Sequence, residues 1–217
     1  MLPVALMKYL TVIIAASMLM GGCGGSDSVK ESDPNLVCIG DSVMRRSGDT
    51  HRELYGDTCE MIASAFGIST FQNLGIPGAS TLEIRRDLQK RGKIDASHIV
   101  FASGRNDLRL HLEQGITVGD AHVEAQRVVA LIEHVPNIYI WSTWIADSPE
   151  EYCPSDSCNF VDQLNSLRQQ YWPQYYVPVA ETLIGQYDPL EPCEVDGWAK
   201  CVIPASLRAA SEPGLAF

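Results

Sequence analysis

The chain has 217 residues, enough for one α/β domain with a sizeable core and too few for two ordinary ones. A hydrophobic content of 46% with 20% charged residues excludes a disordered chain. The formal net charge of -11 argues against gripping nucleic-acid phosphates or anionic headgroups, so no nucleic-acid partner is expected.

Residues 1–23 read as a lipoprotein-type signal peptide. Lys8 precedes an apolar run from Leu10 to Met20, the length of a signal-peptide core and too short to span a bilayer. The run ends in Met20-Gly21-Gly22-Cys23, small residues before a Cys, which resembles a bacterial lipobox with Met20 where Leu is usual. Cys23 is then the lipidation site. An ordinary secretory signal with a chance Cys is the rival reading. Residues 24–34 form a polar, Gly- and Ser-rich tether, and residues 35–217 the folded domain. The expected location is the cell envelope of an exporting cell, with membrane contact only through the lipid anchor.

Past the tether, short apolar runs alternate with helical patterns. Asn35 to Ile39 reads as a strand. Leu54, Met61, Ile62 and Phe66 have helical spacing, ending at Gly67. Thr70 to Leu74 reads as a second strand. Leu82 to Arg91 is a charged amphipathic helix with Thr81 as its N-cap. Ile99 to Ala102 is a third strand. A helix over 119–134 carries Val123, Val128, Leu131 and Ile132 on an apolar face. Ile138 to Trp141 is a fourth strand, Phe160 to Tyr171 a helix, and Tyr176 to Val179 a short fifth strand. Strand–helix alternation predicts an α/β fold: a three-layer α/β/α sandwich around a flavodoxin-like parallel sheet of about five strands.

Setting Cys23 aside leaves six cysteines, an even number in an oxidising compartment. Cys153 and Cys158 flank a short polar loop, and Cys193 and Cys201 bracket another. Cys38 with Cys59 completes the simplest of the 15 pairings that six cysteines allow. No C-x-x-C pair occurs and no His lies at ligand spacing from a Cys, so no metal is expected.

In parallel sheets ligands bind beyond the carboxyl ends of the strands. The first strand is followed by Gly40-Asp41-Ser42-Val43-Met44. A Ser on a tight strand-to-helix turn exposes its hydroxyl, and its backbone N–H can face an oxyanion. The second is followed by Asn73-Leu74-Gly75-Ile76-Pro77-Gly78-Ala79-Ser80, where Gly78 leaves its N–H unobstructed. The third is followed by Gly104-Arg105-Asn106-Asp107, where the Asn106 amide is a further donor. Each of these has a bland counterpart as a helix cap, a turn or a polar loop. Their order directly after three successive strands favours function.

These runs resemble the SGNH hydrolases, the GDSL esterase/lipase superfamily, over about residues 35–197. The resemblance implies that Ser42 is the nucleophile and that the Ser42 N–H, the Gly78 N–H and the Asn106 side chain form the oxyanion hole. It implies an acyl-serine mechanism on an acyl or acetyl ester, carbohydrate-linked esters included, with no cofactor. Gly-Asp-Ser-Val-Met also looks like the SGNH domains of polysaccharide O-acetyltransferases, which leaves acetyl transfer or removal on an envelope polysaccharide as an alternative.

The family closes its triad with an Asp-x-x-His run. Here the matching run is Asp196-Gly197-Trp198-Ala199: the acid is present and the base position holds Ala199. A Ser hydroxyl without an adjacent base is a poor nucleophile. Three explanations compete, in this order: an altered C-terminus after 197, loss of catalysis with a binding role retained, and a substitute base. For the last, His111 and His51 are the candidates, each more commonly a solvated surface His. Arg45 and Arg46 beside Ser42 face an anionic substrate or solvent. Trp141 and Trp144 line a cleft or sit at the core edge. Asp107 reads as a helix cap.

Overall fold

The computed structural model describes residues 34–45, 57–145, 149, 151–185 and 200. Residues 1–33 with Cys23, together with His51, Cys193, Asp196, Ala199 and Cys201, lie outside the described residues.

Five strands form one parallel sheet: β1 (Leu36–Gly40), β2 (Phe71–Asn73), β3 (His98–Ala102), β4 (Asn137–Trp141) and β5 (Tyr176–Val177). Their spatial order is β2-β1-β3-β4-β5, the flavodoxin-like doubly wound order. The helices are α1 (Ser42–Arg45), α2 (Thr58–Ala65), α3 (Thr81–Arg91), α4 (Arg105–Gln114), α5 (Val118–Ile132), α6 (Asp156–Tyr171) and α7 (Val179–Ile184).

Successive strand side chains point to opposite faces, so each buried strand feeds two cores. From β1, Val37 and Ile39 join Ile99, Phe101, Ile138 and Ile140 against Ile84 and Leu88 of α3 and Val128 and Ile132 of α5. Leu36 and Cys38 go to the other face with Val100 and Ala102, against Ile62 of α2 and Val179 of α7. A third cluster ties Leu108 of α4 and Ala121 of α5 to Phe160, Val161 and Leu164 of α6.

Several local expectations shift. Ser80, not Thr81, is the N-cap of α3, in a full capping box with Glu83. Thr81 begins the helix because its N–H and hydroxyl are taken by a carboxylate elsewhere in the chain. Val123 is 42% exposed, and the core stripe of α5 runs through Ala121, Ala125, Val128, Val129 and Ile132. The last strand stops at Val177, because Pro178 caps α7. Helix α4 has no counterpart among the sequence-read helices. Its ten residues carry charge at nearly every other position and bury only Asp107 and Leu108, too narrow a stripe to signal a helix.

Two of the three expected disulfides, Cys38–Cys59 and Cys153–Cys158, are formed. The first ties β1 to α2; the second closes the loop that leads into α6. The Cys193–Cys201 pairing lies outside the described residues.

Candidate active site

The parallel sheet delivers β1, β2 and β3 to the same edge, and the three loops leaving that edge interlock. Ser42 opens α1 directly after Asp41. Asp41 is almost wholly buried, and its Oδ1 accepts a hydrogen bond from the Val43 N–H at 2.9 Å, fixing the turn. Among the described residues the Ser42 hydroxyl makes no hydrogen bond.

The loop after β2 is stitched onto the first. Asn73 Nδ2 donates to the Met44 carbonyl at 2.8 Å, while Asn73 Oδ1 accepts from the Gly75 N–H at 2.8 Å. The Arg45 Nε donates to the Gly75 carbonyl at 3.0 Å, so Arg45 braces this loop rather than standing free in solvent. Farther along, Gly78 adopts φ 75°, a left-handed conformation that side-chain-bearing residues rarely take, and the space where a Cβ would stand is open.

The loop after β3 turns on Gly104, at φ 111°, with the Thr143 side chain packed against the position a Cβ would occupy. No other residue fits there. The turn sets Asn106 in the first turn of α4. Asn106 Nδ2 donates to the Ala79 carbonyl at 3.1 Å and reaches Asp41 Oδ2 at 3.4 Å. One amide thus touches the residue next to Ser42 and the residue next to Gly78. Ser42, Gly78 and Asn106 are brought to one place.

Asp107 is the next residue and is 2% exposed. It does cap a helix, but not its own. Its carboxylate accepts from the Thr81 N–H at 3.2 and 3.1 Å and from the Thr81 hydroxyl at 2.6 Å, at the start of α3. Beneath this layer lies Arg168 of α6, 1% exposed. Its guanidinium donates to the Trp141 carbonyl at 3.0 Å, to Thr143 Oγ1 at 2.8 Å, and to Ser103 O and Oγ at 3.1 and 3.0 Å. A single cation therefore knits the ends of β3 and β4.

Burial in this layer perturbs its charges. Removal from water pushes the Asp41 carboxyl up to about 6, opposed by the Val43 N–H and reinforced by the Asp107 charge. Burial also raises the Asp107 carboxyl, with the Thr81 donors pulling it back. Arg168 is lowered to about 10 by burial, held up chiefly by Asp107.

Of the two substitute bases, His51 lies outside the described residues. His111 sits in the last turn of α4, at the opposite end from Asn106. Its Nδ1 pairs with the Ile116 carbonyl at 2.7 Å, its Nε2 with Asp156 at 2.9 Å, and its ring stacks on Phe160. Both nitrogens are committed away from Ser42. Trp141 is a core residue of β4, and Trp144 lines a cavity of about 350 Å³ beside Thr143, Asp162, Tyr176 and Glu181.

Sequence reasoning missed the Asp107–Thr81 link and Arg168. Nothing in the local pattern marks either one, because each pairs with residues far along the chain.

No protein-family model matches the sequence, and no curated protein sequence matches it significantly. Solved structures do. A member of the lipolytic G-D-S-L family from Veillonella parvula superposes at TM-score 0.54 and 18% identity, over 79% of this chain and 89% of that one. A GDSL-like lipase from Bacteroides thetaiotaomicron superposes at TM-score 0.54 and 13% identity, over 92% of this chain and 89% of that one. An SGNH-hydrolase family esterase gives TM-score 0.53 at 14% identity, over 76% and 86%. What is shared at these identities is the fold: the five-stranded parallel α/β sandwich of the GDSL and SGNH proteins.

Proposed function

We propose that this chain is a serine ester hydrolase of the SGNH type. The observation that carries the reading is the Asn106 amide, which contacts the neighbours of both Ser42 and Gly78. In this reading Ser42 supplies the hydroxyl nucleophile, and the backbone of Ser42, the backbone of Gly78 and the side chain of Asn106 supply three N–H donors.

The chemistry follows from those groups. Ser42 Oγ attacks the ester carbonyl carbon as its proton passes to a base. The carbonyl π pair moves onto oxygen, and the resulting oxyanion is held by the three donors. The pair returns, the C–O bond to the alcohol breaks, and the alkoxide leaves with a proton. Water then attacks the acyl-Ser42 ester by the same route, freeing the acid and Ser42. Asp196 would orient a base, and position 199, where one is expected, holds Ala. That residue favours a second reading: a binding protein that retains the oxyanion pocket without turnover.

The substrate class proposed is a short acyl or acetyl ester, with acetylated envelope carbohydrate as its natural setting. Export as a lipid-anchored protein is part of this proposal, supported by the apolar run before Cys23 and by the two disulfides.

The test is labelling with a fluorophosphonate alongside turnover of 4-nitrophenyl acetate. The hydrolase reading expects covalent label on Ser42, lost in Ser42→Ala, with turnover falling in parallel. Absence of both label and turnover overturns it in favour of binding. Release of acetate from acetylated glycan, set against the simple ester, identifies the preferred alcohol half.

A further inference from the structure

We propose that Asp107 is a positioning residue that sets the gap between the Gly78 and Asn106 oxyanion donors, by clamping the start of α3 to the start of α4. The inference rests on the hydrolase reading above and concerns how that site is held in shape.

Gly78 and Asn106 belong to separate loops with no backbone hydrogen bond between them among the described residues. Gly78 is a left-handed glycine whose own conformation is soft. The loop after it is held from its C-terminal side, where Thr81 gives both its N–H and its hydroxyl to Asp107. Thr81 is three residues from Gly78, and Asp107 adjoins Asn106. The clamp is therefore a fully buried path between the two donors that does not pass through the Asn106 side chain.

Two further ties cross the gap: a long, exposed bond from Arg109 Nη2 of α4 to the Gly78 carbonyl at 3.4 Å, and Asn106 Nδ2 on the Ala79 carbonyl. The latter bond uses the same amide that must serve the oxyanion. The amide has two N–H groups, and one that must also hold the loop ties the position of the other as charge moves onto the carbonyl oxygen. Asp107 supplies a tie that leaves the Asn106 amide to that task. The Asp107 carboxylate does not reach the reacting atoms in this arrangement, so its effect passes through Gly78 and Asn106.

Burial makes the clamp stiff. Asp107 is 2% and Thr81 1% exposed, so water does not compete for these bonds. Oxyanion stabilisation depends on donor placement to a few tenths of an ångström, and a slack gap costs turnover more than binding.

The experiment compares Asp107→Ala, Asp107→Asn and Thr81→Val with the wild type on 4-nitrophenyl acetate. Each rate is divided by the concentration of Ser42 that a fluorophosphonate titrates, which removes any misfolded fraction. The proposal expects Asp107→Ala to lose about tenfold or more in kcat with KM within about twofold, Thr81→Val to lose a smaller part of it, and Asp107→Asn to restore most of it, since an amide still accepts from the Thr81 N–H. Normal kcat per titrated Ser42 in Asp107→Ala overturns the proposal. Should the wild type neither turn over nor label, the hydrolase reading fails by itself. Hydrogen exchange then tests the clamp: Thr81→Val, the variant least able to unfold the chain, is expected to exchange amides 78–81 about tenfold faster, and unchanged exchange there overturns it.

Discussion

Replacing Arg168 with Met tests whether the buried polar layer is held by one cation. Met has a similar length and fills the volume without a charge. Four hydrogen bonds vanish: to the Trp141 carbonyl, to Thr143 Oγ1, and to Ser103 O and Oγ. The Thr143 hydroxyl still donates to the Ser103 carbonyl at 2.6 Å, so that oxygen keeps a partner. The Trp141 carbonyl and the Ser103 hydroxyl lose theirs. A buried polar group left unpaired costs about 1–3 kcal/mol. The Asp107 carboxylate loses the cation that offsets its burial, and Asp41 loses one of two, keeping Arg105. Against this, removing Arg168 relieves the desolvation of the guanidinium itself, whose Nε has no partner. Breaking a buried charge arrangement on one side costs about 3–5 kcal/mol, and we expect Arg168→Met to fall in that range at pH 7. At pH 5 Asp41, with its carboxyl near 6, is largely protonated and needs the cation less, so the loss should shrink. The assay is urea unfolding under non-reducing conditions, followed by far-UV circular dichroism at both pH values. A loss below about 1 kcal/mol at pH 7 refutes the argument, since the four bonds would then be replaced by solvent at no cost.

The remaining predictions concern charge, cross-links and chemistry. A folded-state Asp41 near 6, against an ordinary value of 3.8, means the native state holds the proton more tightly than the unfolded chain. Stability contributed by this group is therefore largest below about pH 4 and falls as pH rises through 6, by about 3 kcal/mol in all, before levelling. Urea midpoints measured from pH 4 to 8 should show that fall, and Asp41→Asn should flatten it. Paired Ala substitution of Cys38 and Cys59, 21 residues apart, should cost about 3 kcal/mol, and that of Cys153 and Cys158, 5 apart, about 2 kcal/mol, both read by unfolding of the variants. Asn106→Ala should lower kcat on 4-nitrophenyl acetate by about 10²-fold with Ser42 still titratable, and an unchanged kcat would remove that amide from the oxyanion hole.

The strands were legible because each is a short apolar run bounded by turn residues, and burial of a parallel strand on both faces demands such a run. That the loops carrying Ser42, Gly78 and Asn106 meet was legible for a related reason: each loop follows one of those runs, and a parallel sheet sends all its carboxyl ends to one edge. The helix ends were read less well. Ser80 and Thr81 are both good caps by type, and the Asp107 carboxylate, 26 residues from Thr81, takes the Thr81 hydroxyl and leaves the cap to Ser80. Val123 fits an apolar periodicity equally well, and only the packing of α3 and α6 against α5 leaves it in solvent.

What the chain determined by itself is therefore local: strand positions, turn chemistry, and a serine, a glycine and an asparagine placed after successive strands. The tertiary structure alone decided how those three are held. Arg168 reaches back 65 residues to Ser103, and Asn106 the same distance to Asp41. Both partnerships depend on charge and amide groups meeting in a water-free layer, where an unpaired polar group is costly. That cost exists only once the layer is closed, so no pattern along the chain announces it.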